Sequence, residues 1–264
     1  MSTVAGLHAL GDLDVILLGD LAATAELQTR WDRKYLIPRS RVDDLVARVA
    51  EASAVEPRVL VVDGARSFRY ESVYFDTTDL VSYLGAARRR PQRFKVRTRS
   101  YLDSGDCMLE VKTRDTRGRT VKHRQPHDLA LRTEVTAGGR TFVASVGPAA
   151  AAVDDLRPTL TTAYRRATLV LEGAQARVTI DVDLTWEHPS GSRIDLPDHA
   201  LVETKTCGPP SPFDRVLWRA RHRPVTISKY CTGLAALVPD LPANKWNRVL
   251  REHFGRGAGD PTAP

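Results

Sequence analysis

The sequence predicts an α+β protein built on about eight mostly antiparallel strands, with helices at its ends and between them. Short segments that alternate apolar and charged residues follow one another closely through residues 93–124 and recur at 160–171, 175–187 and 200–207. Turn chemistry separates the early ones, with Asp-Ser-Gly-Asp at 103–106 and Asp-Thr-Arg-Gly at 115–118. Such a sheet sandwiches or closes into a barrel, and side-chain parity decides which. Charges of matched register fall on one face of six segments. A barrel with its apolar backs against helices would turn those charges into the wall of a tunnel.

In chain order, Leu and Ala at helical spacing in residues 1–29 predict a leading helix or two. Residues 30–37 alternate as a strand that Pro38 ends. Ser40 reads as the N-cap of a helix to Ala52, with Val42, Leu45, Val46 and Val49 as its apolar stripe. The aromatic and β-branched run 68–76 is a strand, and 78–87 a short helix. Strands follow at 93–101, 107–114 and 119–124, with helix expected around 139–146 and an Ala-rich connection at 149–152. After the strands at 160–171, 175–187 and 200–207, Ser211-Pro212-Phe213-Asp214 has the form of a capped helix start, running to Arg221. A last strand at 225–230 and a closing helix at 244–254 complete the reading. The domain expectation is a helical lead-in at 1–28, one tunnel domain at 29–254 and a flexible tail at 255–264.

With 264 residues, 42% hydrophobic and 27% charged, the chain can bury a sizeable core, which excludes disorder and fibrous classes. No apolar run reaches the roughly 18 residues of a membrane-spanning helix. No signal peptide is read, and the scattered Cys107, Cys207 and Cys231 argue against a disulfide framework or a zinc site. A cytoplasmic protein is expected.

The net charge of +7 asks for an anionic partner. Only seven of the 39 basic residues are lysines, so each lysine is a candidate for a site that wants a compact ammonium. Residues two apart in a strand share a face. Arg93, Lys95, Arg97 and Arg99 therefore line one face, as do Glu110 with Lys112, Lys122 with Arg124, Asp32 with Lys34, Arg177 with Asp181, and Glu203 with Lys205. Like charges on neighbouring strands repel, so a stacked basic face makes most sense against a polyanion. Duplex nucleic acid could not enter a tunnel, whereas a linear phosphate chain could. A carboxylate among such bases either pairs with them or holds a hard divalent cation on phosphate oxygens.

RWDRKYLI (30–37), SVYFD (72–76), RFKVRTRSY (93–101), LEVKTR (109–114), VKHR (121–124), YRRATL (164–169), RVTID (177–181), LVETK (201–205) and ISKYCTGLA (227–235) stand in this order. Together they resemble the VTC domain of polyphosphate polymerases, in the CYTH or triphosphate tunnel metalloenzyme superfamily. The resemblance implies a triphosphate tunnel fold, ATP as phosphoryl donor, Mn²⁺ or Mg²⁺ as cofactor, and growth of polyphosphate with release of ADP. It also implies Lys34, Lys112, Lys122, Arg166 and Arg177 as substrate-binding residues, Arg97, Arg99 and Lys229 as catalytic ones, and Glu203 as the metal ligand. Glu110, Arg124 and Lys205 share the face without an assigned role. The triphosphatase branch opens with Glu-x-Glu-x-Lys, where this chain has Arg30-Trp31-Asp32-Arg33-Lys34, so a metal-coordinating carboxylate is lost and polymerisation is favoured over hydrolysis. Attachment at the inner face of a membrane would come from a membrane-protein partner. The rival readings are hydrolysis of a small triphosphate and a non-catalytic polyphosphate-binding module. Single-stranded RNA binding ranks last, because bases stack on aromatic platforms and only 6% of the residues are aromatic.

Overall fold

The computed structural model describes residues 7–23, 31–52, 56–114 and 120–255. Arg30, the turn at 115–118 and the tail from 256 onward lie outside them. The strands are β1 (Asp14–Leu17), β2 (Trp31–Pro38), β3 (Arg58–Val61), β4 (Phe68–Asp76), β5 (Arg93–Tyr101), β6 (Asp106–Arg114), β7 (Thr120–Pro126), β8 (Arg157–Leu171), β9 (Ala176–Glu187), β10 (Arg193–Leu196) and β11 (His199–Thr206). The helices are α1 (Leu18–Ala23), α2 (Val42–Ala52), α3 (Val81–Ala87), α4 (Ala137–Ala144), α5 (Gly147–Ala150), α6 (Pro212–Arg219), α7 (Lys229–Leu237) and α8 (Asn247–His253).

The hydrogen-bonded order β2-β11-β9-β8-β4-β5-β6-β7 contains the eight strands expected, and the α+β class with an antiparallel sheet holds. Among the described residues this order stays open at β2 and β7, each paired on one side. The chain divides into two compact units: Met1–Arg69, Tyr164–Leu184 and Leu196–Val225 form the first; Tyr70–Ala163, Thr185–Asp195 and Thr226–Pro264 form the second.

In the first unit one face of the sheet is apolar. Tyr35 and Ile37, Val178 and Ile180, Ala200 and Val202, and Ala167 and Leu169 pack against Val42, Leu45 and Val49 of α2 and Phe213 and Leu217 of α6. Asp214 lies buried under this layer. It accepts hydrogen bonds from Tyr35 Oη (2.6 Å), Thr204 Oγ1 (2.7 Å) and the Ser211 N–H (2.7 Å), and so closes the predicted capping box of α6. In the second unit Val73, Phe75, Phe94, Val96, Leu109 and Val111 cover one face, packed on Val143 of α4 and Ala149 of α5. Each of the larger buried side chains here is worth about 1.5–3 kcal/mol.

The structure corrects three local expectations. Residues 225–230 are not a strand: Val225 donates one hydrogen bond to the Lys34 carbonyl (2.7 Å), and α7 begins at Lys229 with Ser228 as N-cap. Ser40 sits in a 3-10 turn over Arg39–Arg41, and α2 starts after it. Within 1–29, Asp14–Leu17 is a strand pairing in parallel with β3, where the alternating pattern is lost because only Ile16 is buried. Among the described residues, no helix is long and apolar enough to cross a membrane.

Candidate functional site

Each unit turns a charged sheet face away from its apolar layer. In the second unit the ladder sets Tyr74 beside Arg97 and Ser72 beside Arg99, then Arg97 beside Glu110 and Lys95 beside Lys112. β7 continues the rows with Arg124 opposite Glu110 and Lys122 opposite Lys112. Cross-strand partners share a face, so Lys95, Arg97, Arg99, Lys112, Lys122 and Arg124 lie on one face with Glu110.

Arg97 donates to Glu110 Oε2 through Nε (2.9 Å) and Nη2 (2.5 Å), and through Nη1 to Tyr74 Oη (3.1 Å). Lys122 Nζ reaches Glu110 Oε1 at 3.4 Å. Glu110 is 1% exposed, and burial alone would raise its pKa, but Arg97, Arg99 and Lys122 outweigh burial and hold the carboxyl well below the usual carboxylate range. Its stabilising contribution is therefore present above the unfolded pKa and lost as pH falls through the folded one. Glu110→Gln should cost about 3 kcal/mol at pH 7, as expected for breaking a buried pair. The difference from the parent should narrow on acidification to pH 3, as read by denaturant unfolding at both pH values. A gap that stays constant with pH would contradict the assignment.

Lys229 enters the same face from α7. The Tyr74 phenol would have its pKa raised by burial, yet the charges of Arg97, Arg99, Lys95 and Lys229 together lower it. Tyr230, beside Lys229, stacks on Tyr74 (5.0 Å between rings) and donates to Asp76 Oδ2 (2.5 Å). Asp76 is fully buried and accepts further bonds from the N–H groups of Thr77 (2.9 Å), Ser82 (2.8 Å) and Tyr83 (2.8 Å). The Lys229 carbonyl accepts from Trp186 Nε1 (2.8 Å), and Lys95 Nζ donates to the N-cap oxygen of Ser228 (2.7 Å). The first turn of α7 is thus pinned to the sheet that carries the arginines.

In the first unit β11 lies between β2 and β9, with Glu203 opposite Lys34 and Thr179, and Lys205 opposite Asp32 and Arg177. Arg166 of β8 grips Asp181 through Nε (2.6 Å) and Nη2 (2.8 Å). Lys205 Nζ lies 3.3 Å from Glu203 Oε1. Burial, reinforced by Arg166, lowers the Lys205 pKa despite Glu203 and Asp32. Arg177 reaches the Leu21 carbonyl (3.4 Å). The structure brings Lys34, Arg166, Arg177 and Glu203 together in the first unit, and Arg97, Arg99, Lys112, Lys122 and Lys229 in the second.

Among the described residues, three buried hydroxyls on these faces lack hydrogen-bond partners: Ser72 Oγ and Thr162 Oγ1 in the second unit, Thr179 Oγ1 in the first. Buried polar groups are normally satisfied. No three His, Cys, Asp or Glu side chains gather into a metal site among the described residues. Glu203 offers the hard carboxylate oxygens that a divalent cation takes.

The model of the VTC domain family matches residues 29–238. The chain belongs to the VTC domain family. No curated protein matches it. Among solved structures, this VTC domain is similar to a candidate adenylyl cyclase from Hippeastrum described as having a dominant triphosphatase activity, at 16% identity and a TM-score of 0.46, over 80% of this chain and 97% of that one. It is also similar to a candidate adenylate cyclase from Vibrio parahaemolyticus, at 11% identity and a TM-score of 0.42, over 73% and 87% of the two chains.

Sequence reasoning missed Asp76, Tyr230 and Tyr74 as parts of the site, and Asp181 as the partner of Arg166. SVYFD and ISKYCTGLA contain the first three, but their contact spans 154 positions, so spacing within either motif carries no signal of it.

Proposed function

We propose that this VTC domain is an ATP-dependent polyphosphate polymerase that transfers the γ-phosphate of ATP to a growing polyphosphate chain and releases ADP. The observation that carries the reading is family membership joined to two sheet faces dense in Arg and Lys around very few carboxylates. Phosphoryl transfer needs in-line positioning and neutralised oxygens more than covalent help. In this reading Lys34, Lys112, Lys122, Arg166 and Arg177 bind phosphate oxygens. Arg97, Arg99 and Lys229 act on the transferred group. The acceptor, a terminal phosphate, is already anionic and requires no general base. Mn²⁺ or Mg²⁺, when bound at Glu203, supplies charge neutralisation on phosphate oxygens. Because Arg97 and Arg166 are held by Glu110 and Asp181, their guanidinium groups need little rearrangement when substrate arrives. A cytoplasmic location goes with this reading, with any attachment to a membrane made through a membrane-protein partner.

The test is incubation of the purified protein with ATP and Mn²⁺, followed by a polyphosphate gel and ADP assay, beside Glu203→Gln. Chains with ADP in the parent and a loss of at least about 10²-fold in the variant are expected. ADP and free phosphate without chains would mean hydrolysis. Polyphosphate binding without turnover would mean a binding module.

A further inference from the structure

Where α3 runs into β5 in the second unit lies a cleft of about 370 Å³ walled by Leu84, Phe94, Pro148, Arg88, Arg90 and Arg93. Arg88 caps the C-terminus of α3, Arg89 takes a left-handed conformation (φ 54°), and the Arg90 N–H returns to the Gly85 carbonyl (2.9 Å). Arg93 Nη1 donates to the Arg90 carbonyl (2.9 Å), and Lys245 Nζ to the Ala86 carbonyl (3.3 Å). The loop is therefore shaped by its own backbone.

Several other arginines have carboxylate partners, as in Arg58–Glu172 and Arg132–Glu71, both 2.7 Å. Among the described residues, Arg88, Arg89, Arg90 and Arg93 have none. A helix C-terminus favours a cation within its last turn, which accounts for one of these charges and leaves the others in mutual repulsion. Burial and Arg114 lower the Arg93 pKa, and burial with Arg93, Lys95 and Arg89 lowers that of Lys245. The acid on the cleft wall, Asp79, is engaged by Thr77 Oγ1 (2.7 Å).

We propose that this cleft is a second anion site, which holds a stretch of linear polyphosphate through Arg88, Arg90 and Arg93 while another part of the chain occupies the sheet face. Evenly spaced charges with no apolar part suit guanidinium groups strung along residues 88–93, from the end of α3 to the first residue of β5. The proposal rests on the reading of this protein as one that handles polyphosphate.

The test is binding of long-chain polyphosphate and of tripolyphosphate across a salt series, for the parent and for Arg88→Ala/Arg90→Ala. The long chain should bind about tenfold more weakly to the variant, two charge-assisted contacts having been removed. Its salt slope should fall by about 1.4, while tripolyphosphate binding stays unchanged. Unchanged long-chain affinity, or equal loss for tripolyphosphate, would overturn the proposal. So would loss of binding to phosphatidylserine vesicles with polyphosphate binding retained, which would make the cleft a membrane contact. The assay reads binding, so a protein that synthesises nothing still tests the cleft. Normal synthesis with unchanged binding would sink the cleft and leave the polymerase standing.

Discussion

Gly233→Ala is expected to destabilise the protein by about 3 kcal/mol or more, although alanine is the better helix former by about 1 kcal/mol. A Cβ at this position would lie 2.0 Å from Trp186 Cδ1 and 2.5 Å from its Nε1. Trp186 cannot swing aside cheaply, because it is 1% exposed, packs on Phe254 and donates to the Lys229 carbonyl. Either the indole is displaced or α7 moves off the sheet. Both routes break the bond that fixes the first turn of α7, so Lys229 loses its place beside Arg97 and Arg99. Denaturant unfolding should show the stability loss, and activity below the melting transition should fall more than that of Trp186→Phe, which loses the hydrogen bond but keeps much of the packing. A Gly233→Ala protein as stable as the parent would mean that the helix has room the structure does not show.

Much of the sheet was legible because strand physics is local. The segment 93–101 was predicted with the bounds the structure gives, since Phe94, Val96 and Thr98 alternate with Lys95, Arg97 and Arg99 and burial follows that alternation except at Arg97, which is buried on Glu110. The Ser211–Asp214 capping box was legible for the same reason: its partners lie three residues apart. The strand expected at 225–230 failed because its β-branched run favours extension, while Pro224 removes an N–H and Ser228 caps α7 through the Cys231 N–H (3.2 Å). What no local pattern could disclose is long-range pairing. Asp76 meets Tyr230, and Gly233 makes room for Trp186, only after strands and helices have been brought together. The charged faces could be read from parity, but which carboxylate restrains which arginine depends on register, and register is set by the fold.

Arg97→Lys should lower the rate of phosphoryl transfer by about 10²- to 10³-fold with a smaller effect on KM, even though it preserves the charge. The guanidinium is tied to Glu110 by two donors and to Tyr74 Oη by a third, and its carbon lies 5.7 Å from the Tyr74 ring centroid. An ammonium offers neither the planar fork nor the reach to satisfy both neighbours at once. Glu110 would keep Lys122 at 3.4 Å and would pull the new lysine toward itself, away from the phosphate. Stability should fall as well, by about 2 kcal/mol, because Oε2 of the buried carboxylate loses its two guanidinium donors. A double-mutant cycle separates the two roles. If Arg97 only anchors Glu110, adding Arg97→Lys to Glu110→Gln should cost little further activity. If Arg97 acts on the transferred phosphate, the activity losses should remain large on either background, with a coupling of about 0.5–3 kcal/mol confined to stability. Recovery of full activity by Arg97→Lys in the Glu110→Gln background would remove Arg97 from the phosphate and leave Arg99 and Lys229 to act there.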